Sequence, residues 1–199
     1  GFEADEPTGL YQVSRAYDNT GNDAGKSYNE GIRAATSQGD FSVAASVTDG
    51  LYDATAAGAE GDADDVAFDI LVSYSGIENL SLALGYADDG NGDTQVVNFY
   101  ATYVLGQLTL AGEYSDWDNN GTESDNYLIL ANYSLNDDTS ITVRRSEVCA
   151  ATPAADFEKT TVALNYSISD NLGSVIEYSD GELGGVDSDS IAVKGIFSF

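Results

Sequence analysis

The sequence predicts an all-β fold, a transmembrane up-and-down antiparallel β-barrel, and three observations carry that prediction. Runs of alternating apolar and small or polar residues recur along the whole chain. The connections between runs alternate short and long, and Tyr and Phe collect near the ends of the runs. Strands that cross a bilayer need this period-two pattern, short turns on one side, longer connections on the other and aromatic girdles at both interfaces. Composition agrees with a folded chain. Of 199 residues 42% are hydrophobic, with 13 Tyr and 7 Phe, which is too apolar for a disordered acidic segment.

Taken in order, strands are expected at 10–17, 28–37, 41–49, 66–75, 80–88, 96–104, 108–116, 126–134, 140–147, 160–167, 172–179 and 190–199. The uncharged stretch Thr94–Gly112 is long enough for a membrane helix. Its alternation, broken at Gly106-Gln107, predicts a hairpin instead. One face of each strand is apolar, as in Phe41, Val43, Ala45, Val47 and in Ile191, Val193, Gly195, Phe197, Phe199. The other face is small or polar, as in Ser42, Ala44, Ser46, Thr48. Short turns fall near Ser37–Asp40, Gly76–Asn79, Gly106-Gln107, Asn136–Thr139 and Asp170-Asn171. Long connections are expected near Gly50–Asp65, Asp88–Gln95, Asp116–Asp125, Val148–Lys159 and Asp180–Asp189. One girdle would hold Tyr74, Tyr103, Tyr133, Tyr166 and Phe199, the other Tyr86, Tyr114, Tyr127 and Tyr178. A soluble sandwich shares the alternation but predicts neither the regular connections nor the girdles. Residues 1–9 read as a lead-in and 10–199 as the barrel. About twelve strands are an even number and permit closure; a larger barrel of about sixteen to eighteen would require more chain.

Charge narrows the function. The chain has 34 Asp+Glu, 7 Lys+Arg and a formal net charge of -27, so a general basic surface for nucleic acid is excluded. It has no His and one Cys, which excludes a His-containing triad and an internal disulfide. No base or oriented nucleophile stands out, so no catalytic residue is assigned and no enzyme is expected. The acids concentrate in the expected long connections, among them Asp62, Asp64, Asp65, Asp88, Asp89, Asp93, Asp180, Glu182, Asp187 and Asp189. A rim of this kind would draw cations; it would equally serve to solvate the molecule. Asp116, Asp118, Asn120 and Thr122, with Gly121 in sixth place, resemble the start of a calcium loop, although Tyr127 stands where the bidentate Glu belongs. The choices there are a weak Ca²⁺ site or an ordinary Asn/Asp/Gly turn; no other cofactor is expected. Cys149 begins a long connection, either as a thiol for a partner or as an inert small residue.

The inward phase places Arg33, Asp69, Asn98, Tyr100, Glu113, Asn132, Arg144, Asn165, Glu177 and Lys194 toward the lumen. Their charges nearly balance. They read either as a field of opposed charges lining a polar pathway or as cross-strand pairs that satisfy a wet interior.

Two segments carry a resemblance. The terminal alternating strand ending in Phe199 resembles the C-terminal signal of Gram-negative outer-membrane barrels. Gly1–Tyr17 (GFEADEPTGLYQVSRAY) and Asn29–Tyr52 (NEGIRAATSQGDFSVAASVTDGLY) resemble the β-barrel porin family of that membrane. The resemblance covers about the first quarter and implies the C-terminal portion of a porin. It implies location in the bacterial outer membrane and homotrimer formation. With the lumen residues and the acidic connections, the expected function is passive diffusion of ions and small polar solutes, biased to cations. The expected surroundings are membrane lipid and lipopolysaccharide. The alternative is a non-conducting surface or scaffold barrel whose acids bind a partner or divalent cations.

Overall fold

The computed structural model describes residues 31–49, 66–88, 94–119 and 121–197. The strand expected at 10–17, the lead-in at 1–9, Phe199 and the acids Asp62, Asp64, Asp65, Asp89 and Asp93 lie outside the described residues. Within them the chain forms β1 (Gly31–Gln38), β2 (Phe41–Asp49), β3 (Val66–Ile77), β4 (Leu80–Asp88), β5 (Thr94–Leu105) and β6 (Leu108–Asn119). There follow β7 (Thr122–Asn136), β8 (Thr139–Ala150), β9 (Phe157–Ser169), β10 (Leu172–Leu183) and β11 (Val186–Phe197). A turn of 3-10 helix at Pro153–Ala155 joins β8 to β9. All are members of one sheet in the order β1 to β11, each strand antiparallel to its neighbours in sequence. No described helix is long and apolar enough to cross a membrane.

Register follows from the turns. Leu105 pairs with Leu108 around Gly106, whose φ of +58° only glycine adopts at low cost. Four of the five short turns are also tied to the next hairpin. Ser75 N–H donates to the Asp40 carbonyl, Val104 to Asn79 and Ser134 to Gln107, each at 2.9 Å, and Ser167 to Asp138 at 2.8 Å. These bonds fix the offset between successive hairpins, and a one-residue slip would turn every side chain to the wrong face.

Three expected long connections are corrected by the structure. Asp116–Asp125 belongs to a hairpin, since Asn119 pairs with Thr122. Asp180–Asp189 belongs to another, with Leu183 paired to Val186. Val148–Lys159 shortens to the residues between Ala150 and Phe157. The acids named in these stretches therefore stand on strands, not in loops. Acidic side chains are poor strand formers in isolation, but a hairpin already paired below them extends at the cost of one small turn.

The sheet is partitioned inside out relative to a water-soluble protein. The most buried side chains include Ser46, Asp69, Asn98, Glu113, Ser115, Asn126, Ser146, Thr161 and Ser179, interspersed with Ala44, Ala67, Ala83 and Ala87. The exposed large apolar side chains include Phe68, Ile70, Val72, Val97, Phe99, Ile129, Val143, Val162 and Ile176. Ile129 is 61% exposed while its neighbour Leu128 is 1% exposed. An apolar face left open on strand after strand belongs against hydrocarbon.

Candidate functional site

The polar face is the candidate site, and the pairing register builds it. Arg33 pairs with Ser46 and Ser46 with Asp69, which puts all three side chains on one face. Carrying the pairs onward, Asn98, Tyr100, Glu113, Asn132, Arg144, Asn165, Glu177 and Lys194 fall on that same face. All ten residues expected to line the lumen are thus brought to one side of the sheet.

Hydrogen bonds run across the strands on this face. Ser46 Oγ donates to Asp69 Oδ2 at 2.6 Å. Asn98 Nδ2 donates to Glu113 Oε1 at 2.9 Å and to Ser115 Oγ at 2.8 Å. Asn132 Nδ2 reaches Thr142 at 2.7 Å and Ser140 at 3.1 Å, and Asn165 Nδ2 approaches the same hydroxyls at 3.0 and 3.3 Å. Thr161 and Ser179 share a bond of 3.2 Å, and Ser179 also donates to Glu177. Short hydroxyls and amides thus satisfy one another across the strands on this face.

The charge on the face is nearly balanced. The carboxylates on described strands are Asp69, Glu113 and Glu177; the cations are Arg33, Arg144, Lys159 and Lys194. The strand expected at 160–167 stops one residue short of Lys159; β9 starts at Phe157 and carries Lys159 onto the polar face. Ser46, Ser115, Asn126 and Thr142 share this phase and were legible from it.

The acids on the strand extensions point the other way. Asp88, Asp116, Asp125, Glu147, Glu158, Asp180 and Asp189 share the face of the apolar band, beyond its end. Tyr86 donates to Asp88 at 2.8 Å, Tyr114 to Asp125 at 2.5 Å and Tyr127 to Glu147. Arg145 lies between Glu158 at 2.5 Å and Glu147 at 3.6 Å. These tyrosines have an apolar body and a polar tip, as the border between hydrocarbon and water requires. Cys149 is exposed on β8, with its thiol 3.5 Å from Glu147.

The calcium-loop reading meets a different geometry. Asp116 and Asp118 lie on β6 and Thr122 opens β7, while Asn120 is outside the described residues. Asp118 Oδ1 accepts the Gly121 N–H at 2.9 Å, and Gly121 has φ +74°. Asp118 therefore caps a tight turn. Among the described residues no three His, Cys, Asp or Glu side chains are grouped to hold an ion.

Comparison with known proteins fits this arrangement. The Gram-negative porin family matches residues 2–185. By sequence, no curated protein matches the chain. Among solved structures, a porin refined at 1.8 Å aligns with TM-score 0.68 and 20% identity over 86% of this chain and 62% of its own. The outer membrane channel DcaP of Acinetobacter baumannii aligns with TM-score 0.66 and 12% identity over 88% of this chain and 64% of its own. An anion-selective porin from Comamonas acidovorans aligns with TM-score 0.63 and 13% identity over 85% and 55%. These identities establish shared fold alone, and the chain spans less than two thirds of each of the three. With the family match covering nearly the whole sequence, the chain belongs to the Gram-negative porin family, whose place is the bacterial outer membrane.

Proposed function

We propose that the polar face lines a hydrated pathway through which ions and small polar solutes cross the outer membrane by passive diffusion. The observation that carries this reading is the inside-out partition in phase along the sheet, with hydroxyls, amides and balanced charges on one side and an open apolar face on the other. A wall of short hydrogen-bonding groups replaces part of a solute's hydration without binding it tightly, as passage demands. Any preference for cations is proposed to be mild and to originate at the acidic rim, because the acids of the wall are matched by bases. The apolar band would contact lipid. Lipopolysaccharide beside the rim would require divalent cations between two anionic surfaces. A homotrimer is proposed from family membership and is tested by the mass of the detergent-extracted assembly.

Planar-bilayer recording tests the central claim. Discrete conductance steps are expected, with a reversal potential in a KCl gradient displaced modestly toward that of potassium. Clear anion preference would remove the cation bias. An absence of steps would favour the competing reading, a non-conducting barrel whose acids bind a partner or divalent ions.

A further inference from the structure

Toward the acidic end of the polar face, one paired row on β8, β9 and β10 is apolar and bulky: Val148, Phe157 and Leu183. The next row on the same strands is Ser146, Lys159 and Gly181. Gly181 therefore leaves a notch, with Lys159 beside it on β9, Leu183 and Ser179 along β10, and Ser188 opposite on β11. A carbon added at Gly181 would lie 3.7 Å from Lys159 Cβ and Cγ, so the lysine stem forms one wall. The notch is open. Gly181 and Phe157 are partly exposed and Leu183 is 51% exposed, although β9 and β10 have strands on both sides. Its upper end is held in place, since Asp156 accepts the Gly184 N–H on its carbonyl and the Ala150 N–H on Oδ1, each at 2.8 Å.

Lys159 makes no hydrogen bond or ion pair among the described residues. In a chain of 34 acids and 7 bases, a base left unmatched is the exception. Its sequence neighbour Glu158 faces the other side of the sheet, against Arg145. Glu113 shares its row but stands three strands away, about 14 Å by strand spacing. Glu177 is engaged by Ser179 at 3.1 Å. Arg144, diagonal to Lys159 on β8, adds positive charge. The rim acids Asp180 and Asp189 occupy the opposite face and do not line the notch.

An unpaired ammonium favours an anion, and a carboxylate gives it a charge-assisted hydrogen bond. Apolar side chains left open on an otherwise polar wall favour hydrocarbon. The two features meet at one notch, the apolar row lying about 7 Å along the strand from Lys159. We propose that the notch over Gly181 is a binding subsite for small carboxylates with a short hydrocarbon tail, the carboxylate held by Lys159 and the tail against Phe157 and Leu183. This rests on the reading of the polar face as a solute pathway, and makes that pathway retain such anions longer than neutral solutes of equal size.

In planar bilayers containing the full chain, millimolar hexanoate is expected to interrupt the ion current. Acetate, which lacks the tail, and hexanamide, which lacks the charge, are not. Lys159→Gln should raise the half-blocking concentration about tenfold or more, and Leu183→Ser about fivefold. Circular dichroism checks that each variant keeps its β content. A loss as large in Lys194→Gln would mean a field of the whole wall and overturn the subsite. Conduction without hexanoate block, or block unaltered by Lys159→Gln, overturns the subsite and leaves the pathway reading standing. If no current flows, the pathway reading fails and calorimetry in detergent decides the subsite. Hexanoate heat that disappears in Lys159→Gln supports it, and its absence in the parent chain overturns it.

Discussion

Asn132 and Asn165 approach the same two hydroxyls, Ser140 and Thr142, from opposite sides of β8. The shared pair makes either amide replaceable in part, but not both. Asn132→Leu is predicted to cost about 1–2 kcal/mol, because two bonds go and one acceptor pair keeps Asn165. Urea unfolding in detergent micelles measures this, and an unchanged midpoint would refute the network. Arg145 has another kind of role. Its ion pairs with Glu147 and Glu158 join half-exposed side chains that salt can screen, so Arg145→Ala should cost about 1 kcal/mol or less, with a smaller loss at high salt. At this scale the sequence disclosed which face a side chain takes, since the period of two is local. It did not disclose partners. That Asn98 reaches Glu113 depends on the register of β5 with β6, which is fixed by the Gly106 turn and by bonds between hairpins.

For the strands, the phase assignment makes opposite predictions for adjacent positions. Ile129→Arg places a guanidinium on the open apolar face and should cost about 2–4 kcal/mol near the bilayer midplane. Ala192→Arg, on the polar face of β11 and paired with Glu177, should cost far less and alter conductance instead. Equal losses in folded yield on refolding into lipid vesicles would contradict the partition. The hairpin of β10 and β11 offers a sharper test. Gly184 has φ +56°, and an added Cβ would run into the Ala154 carbonyl. Gly184→Ala is predicted to cost about 1–2 kcal/mol from the left-handed backbone alone, read as a lower thermal midpoint. Strand 41–49 and strand 80–88 were legible to the residue because apolar alternation reaches their ends. Strands β6, β7, β10 and β11 run longer than their apolar stretch, and the acidic residues at their tips resembled loops. The dipeptides Asn120-Gly121 and Gly184-Gly185 were the available signal, being the residues that two-residue hairpin turns require.

Across the whole molecule, register stacks like charges. Glu147, Glu158, Glu182 and Asp187 pair in succession across β8 to β11, and Asp116 faces Asp125 while Asp118 faces Glu123. Like charges directly opposite are destabilising. Raising ionic strength from about 0.01 M to about 0.15 M shortens the screening length from about 30 Å to about 8 Å, so the melting temperature in micelles should rise. A flat or falling curve would mean that Arg145 and the tyrosines already neutralise these rows. The net charge of -27 was visible at once; its orientation was not, because loops and strand tips cannot be told apart by acidity. Among the described residues every strand pairs with those before and after it in the chain. The search each strand makes for its partner is short, so little entropy is lost in closing loops between them. Assembly can then advance hairpin by hairpin, each completed pair serving as the template for the next as the chain enters the membrane.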